Sequence, residues 1–191
     1  GKIITISTIK GSVARTASCT VNVDNASKVK VTRSGSYSVV QLHNGENTVS
    51  YVPGYETMLI IESATYGVPL YKATLNGEDL AYSYGYSANL SNDGGDKVDI
   101  LANFPEGLTY NVKFTYADAN KAKGVVTNVI VDAAVVDNFN DPAGFNIPAG
   151  KAVNISFDNV GYKIDKVLVN GKYENVYSTY SFTPIADTEI Y

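Results

Sequence analysis

The chain has 191 residues, 45% hydrophobic and 18% charged, enough for one large or two small domains with real cores and too apolar for disorder. A net charge of −4 argues against nucleic acid and anionic lipid, both of which need a basic surface. One cysteine leaves no internal disulfide and no zinc site built on cysteine pairs, and no apolar run reaches the roughly 20 residues of a membrane helix.

Period-two alternation dominates, as expected of a chain rich in Tyr, Val, Thr and Ile. Ile4 and Ile6 mark a first strand, within Lys2–Ile9. Cys19, Val21 and Val23 mark a second, ended by the turn residues Asp24-Asn25-Ala26-Ser27. Val29 and Val31 follow, then a strand from Val39 to Leu42 closed by His43-Asn44-Gly45, which predicts a hairpin. Thr48 to Val52 stops at Pro53-Gly54; Thr57, Leu59 and Ile61 form the next face. Tyr71 to Leu75 turns at Asn76-Gly77 into a strand from Leu80 to Leu90, and Val98, Ile100 and Ala102 close the set. Pro105-Glu106-Gly107 reads as a linker. The order then repeats: Tyr110, Val112 and Phe114 match Cys19, Val21 and Val23; Val129 and Val131 match Val29 and Val31. Phe145 and Ile147 match Val49 and Tyr51, and Val153, Ile155 and Phe157 match Thr57, Leu59 and Ile61. Only Ala117 to Lys123 suits a helix, and it suits a loop equally.

The repeat is clearest between residues 71–90 and 165–184. Without gaps these share Lys72/Lys166, Asn76/Asn170, Gly77/Gly171, Tyr86/Tyr180 and Ser87/Ser181, all 94 residues apart. A fixed offset of this kind marks a module used twice. The expected fold is all-β: two related small β-sandwich modules, of Ig-like, Greek-key or β-grasp-like topology, with very little helix. The boundaries fall at 11–104 and 108–191, with linker 105–107. Residues 1–10 read either as a strand that completes the first module or, by preference, as the tail of a preceding repeat, which would make the chain a piece of a longer array.

Gly161-Tyr162-Lys163-Ile164-Asp165-Lys166-Val167-Leu168-Val169-Asn170-Gly171, followed by Tyr180-Ser181-Phe182 and Asp187-Thr188-Glu189-Ile190, resembles a pattern of bacterial cell-surface repeats. That pattern, GYxVxxVxVNGxxV…YxFxxxxDTxI, occurs in internalin-B-type repeats and in tandem β modules of secreted Bacteroidetes proteins. The first copy departs from it at residues 66–71 and 93–96. The resemblance implies surface stalks, adhesion or spacing, with neighbouring repeats as partners, a secreted or cell-surface location, and no catalytic residues or cofactors to transfer.

Few side chains suggest chemistry. Tyr82, Tyr84 and Tyr86 share a face by alternation and read first as core, because the second copy places Val176, Ser178, Tyr180 and Phe182 there. The alternative is a module binding a host or cell-surface glycan or protein through exposed tyrosines, with Tyr82, Tyr84 and Tyr177 as candidates. Asn92–Asp96 and Asp137–Asp141 lack calcium spacing and read as turns. His43, the only histidine, reads as an exposed turn residue, and Cys19 as a buried small hydrophobe. Lys30, Lys113 and Lys166 sit on strands where an isopeptide bond would form in some surface domains, but alternation points most of them outward. No catalytic or metal site is expected, and the expected role is a non-catalytic extracellular structural or adhesion module.

Overall fold

The computed structural model describes residues 15–158, 161 and 163–191. The expected strand at Lys2–Ile9 lies outside the described residues, as does Tyr162 of the repeat pattern. The described residues are all-β, and their strands fall into two sets of nine. The first is β1 (Ala17–Val23), β2 (Val29–Arg33), β3 (Val39–Val40), β4 (Gly45–Tyr51), β5 (Met58–Ser63), β6 (Lys72–Leu75), β7 (Glu78–Asp79), β8 (Tyr86–Asn89) and β9 (Lys97–Leu101). The second is β10 (Thr109–Phe114), β11 (Val126–Val131), β12 (Ala134–Val135), β13 (Phe145–Pro148), β14 (Val153–Phe157), β15 (Val167–Val169), β16 (Lys172–Glu174), β17 (Thr179–Phe182) and β18 (Thr188–Ile190).

Each set makes two sheets that pack face to face. In the first module the sheet orders are β4-β1-β9-β6-β7 and β3-β2-β5-β8. In the second they are β13-β10-β18-β15-β16 and β12-β11-β14-β17, the same order with nine added to each strand number. The last strand of each module lies parallel to its first, β9 beside β1 and β18 beside β10, and every other pairing is antiparallel. Each module has its own core. Val21, Leu59, Ile61, Val98 and Ile100 fill the first; Val112, Val129, Ile147, Val153 and Ile155 fill the second. Alternation explains both, since most inward strand positions are apolar, with Asn47 on β4 and Thr188 on β18 as buried polar exceptions.

Register places the copies more finely than pattern does. Ile61 faces Tyr86 and Ile155 faces Tyr180, so Ile61 corresponds to Ile155 and Leu59 to Val153. Val31 faces Ile61 and Val129 faces Ile155, so Val31 corresponds to Val129. Val21 faces Val98 and Phe114 faces Ile190. The matches of Cys19, Val29 and Thr57 to Tyr110, Val129 and Val153 are therefore each two residues out of step. A two-residue slip keeps every side chain on its face, so alternation cannot detect it.

Two expected elements differ, and Ala117–Lys123 takes the loop alternative. Asn44-Gly45 is not a hairpin: β3 pairs with β2 while β4 pairs with β1, so this stretch crosses between sheets. Its asparagine serves the crossing instead, Asn44 Oδ1 accepting from Ala26 N at 2.7 Å. Ala117–Lys123 forms turns, with Ala122 N donating to Asp118 O at 3.0 Å. The strand expected from Leu80 to Leu90 forms only at Tyr86–Asn89. The only helical segment among the described residues is the 3-10 turn Ala26–Lys28, and no helix is long and apolar enough to cross a membrane.

Candidate functional site

The tyrosine stripe breaks at Gly85. A Cβ there would lie 2.6 Å from the Ile61 carbonyl oxygen, so the chain approaches β5 too closely for any side chain. The backbone bends to reach that approach, with Tyr84 in the left-handed region at φ 59°. Beyond the bend Tyr86 enters the core, 5% exposed, and its hydroxyl donates to the Tyr71 carbonyl at 3.0 Å. Burial, followed by the neighbouring Tyr82, pushes its phenol up to about 12. Tyr82 is half-buried, edge-on to Tyr86 with centroids 5.2 Å apart. Tyr84 is thrown outward, 82% exposed, so its expected place in the core is corrected.

Tyr84 reaches the other module. Lys172 Nζ of β16 sits 5.4 Å from its ring centroid and 3.5 Å from its hydroxyl. This contact is one of several that join the modules. Thr183 Oγ1 donates to the Gly67 carbonyl at 3.3 Å. Phe104, just before the linker, packs between Tyr71 (centroids 5.4 Å apart) and Tyr110 (6.5 Å). Across the junction Gly150 receives the ring: a Cβ there would meet Phe104 Cδ2 at 2.8 Å. Ala149 N donates to the Leu108 carbonyl at 2.8 Å, fastening the first residue after the linker to the turn that follows β13. A cleft of about 280 Å³ remains beside Phe104, floored by Leu70 and Ala102. None of Phe104, Gly150, Thr183 or Lys172 stands out in the sequence. The one available pointer is an aromatic residue directly before the linker Pro105-Glu106-Gly107.

The other candidate, Tyr177, is 80% exposed and accepts from Asn175 Nδ2 at 3.2 Å. Tyr37, Tyr66 and Tyr173 are also well exposed. Among the described residues, ring-to-ring contacts involve none of these, nor Tyr84; they join buried or half-buried rings such as Tyr180 and Phe182, stacked at 5.3 Å.

The remaining chemically suggestive groups are structural. Cys19 is buried, its thiol pushed up to about 11 by burial and then by Asp96, so it holds its proton at neutral pH. His43 is exposed, its Nδ1 2.9 Å from the Asn44 carbonyl oxygen. In the loop ending at Asp96, that buried carboxylate accepts from Asn76 Nδ2 at 2.9 Å and from Ser91 N. Asp141 caps its own turn, accepting from Ala143 N at 2.8 Å. Buried Glu56 accepts from Ser36 Oγ at 2.6 Å and Val52 N at 2.8 Å, pinning two loops. Lys30 and Lys113 face solvent in ion pairs with Glu62 at 3.6 Å and Glu189 at 3.7 Å; Lys166 is exposed. No group of three or more His, Cys, Asp or Glu placed to hold a metal occurs among the described residues. Compared with known proteins, the chain matches no protein-family model and no curated protein.

Proposed function

We propose that this chain is a non-catalytic structural or adhesion unit of an extracellular bacterial surface protein. One observation carries the reading: the same nine-strand order occurs twice, and the copies are fastened end to end through Phe104. Repeated modules with packed junctions add length and stiffness, which is what a spacer requires. The ordinary structural roles of Cys19, His43 and the acidic loops agree with a part that does no chemistry.

A second reading is a binding module for a glycan or protein. It is favoured by Tyr84 and Tyr177, both at least 80% exposed, with Lys172 beside the first. Aromatic rings with polar neighbours are the usual anchors of such surfaces. A glycan array separates the two. The spacer reading expects no saturable binding. Saturable binding that Tyr84→Ala or Tyr177→Ala abolishes, with folding unchanged, would replace it with the binder.

A further inference from the structure

Three Asn-Gly pairs occur in the sequence, at 44–45, 76–77 and 170–171. Such a pair is reactive as well as flexible. The main-chain nitrogen after an asparagine can attack that residue's own side-chain amide, and a following glycine leaves the approach unobstructed. By sequence alone the three sites are equally reactive. The fold separates them by what holds each amide and by what engages each glycine nitrogen.

Gly45 is already engaged. It is the first residue of β4 and pairs with Val23 of β1, while Asn44 Oδ1 accepts from Ala26 N at 2.7 Å. Gly77 and Gly171 instead lie in two-residue turns outside the ladders, between Leu75 and Glu78 and between Val169 and Lys172. Both are exposed, and the space where a Cβ would stand is open. Their asparagines are exposed too, but they are not held alike. Each Oδ1 accepts from the neighbouring strand, from Lys97 N at 2.8 Å and from Glu189 N at 2.7 Å. The difference lies at Nδ2, the atom that would leave. Asn76 Nδ2 donates to the Asp96 carboxylate at 2.9 Å, whereas Asn170 Nδ2 faces the neutral Asp187 carbonyl at 3.4 Å. Since Lys97 stands where Glu189 does, the preceding buried residue is Asp96 in the first module and Thr188 in the second. A hydrogen bond to a charged acceptor is roughly twice as strong as a neutral one. The second module has lost that hold on its asparagine.

We propose that Asn170-Gly171 is a site of spontaneous deamidation, and that the modification unfastens one end of the second module. Gly171 N attacks Asn170 Cγ and gives up its proton. The new C–N bond closes a succinimide ring, the Cγ–Nδ2 bond breaks, and ammonia departs carrying that proton. Water then opens the ring at either carbonyl, leaving an aspartate or an isoaspartate at position 170. No oxidant, reductant or enzyme takes part. In the isoaspartate the main chain runs through the former side chain, so the turn between Val169 and Lys172 gains a carbon atom. A two-residue turn fixes the register of the strands it joins, so β15 and β16 lose theirs. The bond from Glu189 N, which closes the end of β18, is lost with them. The aspartate product keeps the length of the main chain and disturbs the module much less.

The full chain is held at mildly alkaline pH, and peptide mapping by mass spectrometry follows all three sites, with isoaspartyl methyltransferase reporting the iso form. Asn170 should convert first. Asn76 should follow about tenfold more slowly, because its amide must first leave a charged acceptor. In strong urea the three sites should convert at similar rates, since only the fold distinguishes them. Asp96→Asn should bring Asn76 toward the rate of Asn170. Thr188→Asp gives the second module the carboxylate of the first and should slow Asn170. Gly171→Ala should stop conversion at 170 and leave that at 76 unchanged. Chains enriched in the iso form should melt with the second module weakened and the first unchanged, and Asn170→Asp should stay close to the parent. Conversion led by Asn76 or Asn44 overturns the proposal, as does the same order of sites in urea as in the folded chain. So does an absence of conversion at 170, or an iso form as stable as the parent. None of these results alters the glycan array, so this idea and the spacer reading fail separately.

Discussion

At the residue scale, the asparagine of each of the two Asn-Gly hairpin turns, Asn76 and Asn170, does two jobs. Asn76 and Asn170 adopt φ of 53° and 49°, a region asparagine tolerates better than most residues. Each also carries its Oδ1 to the neighbouring strand, closing the end of the sheet. Asn-Gly was legible in the sequence as a hairpin, and here β6 and β7 form one, as do β15 and β16. The side-chain bond was not legible, because its partners lie about twenty residues away in sequence. The surroundings of the two asparagines differ. Asn76 Nδ2 donates to the buried Asp96 carboxylate at 2.9 Å, while Asn170 Nδ2 faces a neutral carbonyl, that of Asp187, at 3.4 Å. Asn76→Asp sets two carboxylates together and removes a donor. It should destabilise the first module by about 2–3 kcal/mol, and Asn170→Asp the second by about 1 kcal/mol or less. Urea melts of the two variants check the difference, and equal losses would show that Asp96 is not the cause.

At the element scale, β8 and β17 bring one aromatic hydroxyl into each core. Tyr86 and Tyr180 are both pushed up to about 12 from 10.0, chiefly by burial, with Tyr82 and Glu174 the next contributors respectively. Cys19 on β1 rises from 9.0 to about 11. Each group is neutral when protonated and is held more tightly in that form by the fold. Its contribution is therefore complete below its ordinary value and lost as pH climbs through the raised one. The first module should begin to lose stability from pH 9.0, through Cys19, and the second only from 10.0, through Tyr180. Melting temperatures across that range check the order. Cys19→Ala should delay the first module's decline, and an unchanged onset would refute the assignment. The strands themselves were readable from alternation, and the failures were local. Tyr84 left the core because Gly85 must touch the Ile61 carbonyl, a contact that alternation between neighbours does not encode.

At the scale of the whole molecule, the junction decides whether two modules behave as one rod. Phe104 fills the space between Tyr71, Tyr110 and Gly150, and the polar contacts Lys172 with Tyr84 and Thr183 with Gly67, which also join the modules, are exposed. Exposed polar contacts of that kind add little, so the aromatic packing should dominate. Phe104→Ala should loosen the modules while each core survives. Small-angle scattering should then show a broader distribution of lengths, with far-ultraviolet circular dichroism unchanged. A variant as stiff as the parent would assign the rigidity to Lys172 and Thr183 instead.

The sequence by itself determined that the chain is all-β and that one module occurs twice. Both rest on local periodicity and on repetition at a fixed offset, which need no knowledge of distant contacts. The tertiary structure alone decided the strand order, the two-residue registers, the outward turn of Tyr84 and the Phe104 junction. Each of these depends on which strands become neighbours. A pattern that repeats every two residues is satisfied equally by several such arrangements, and only packing selects among them.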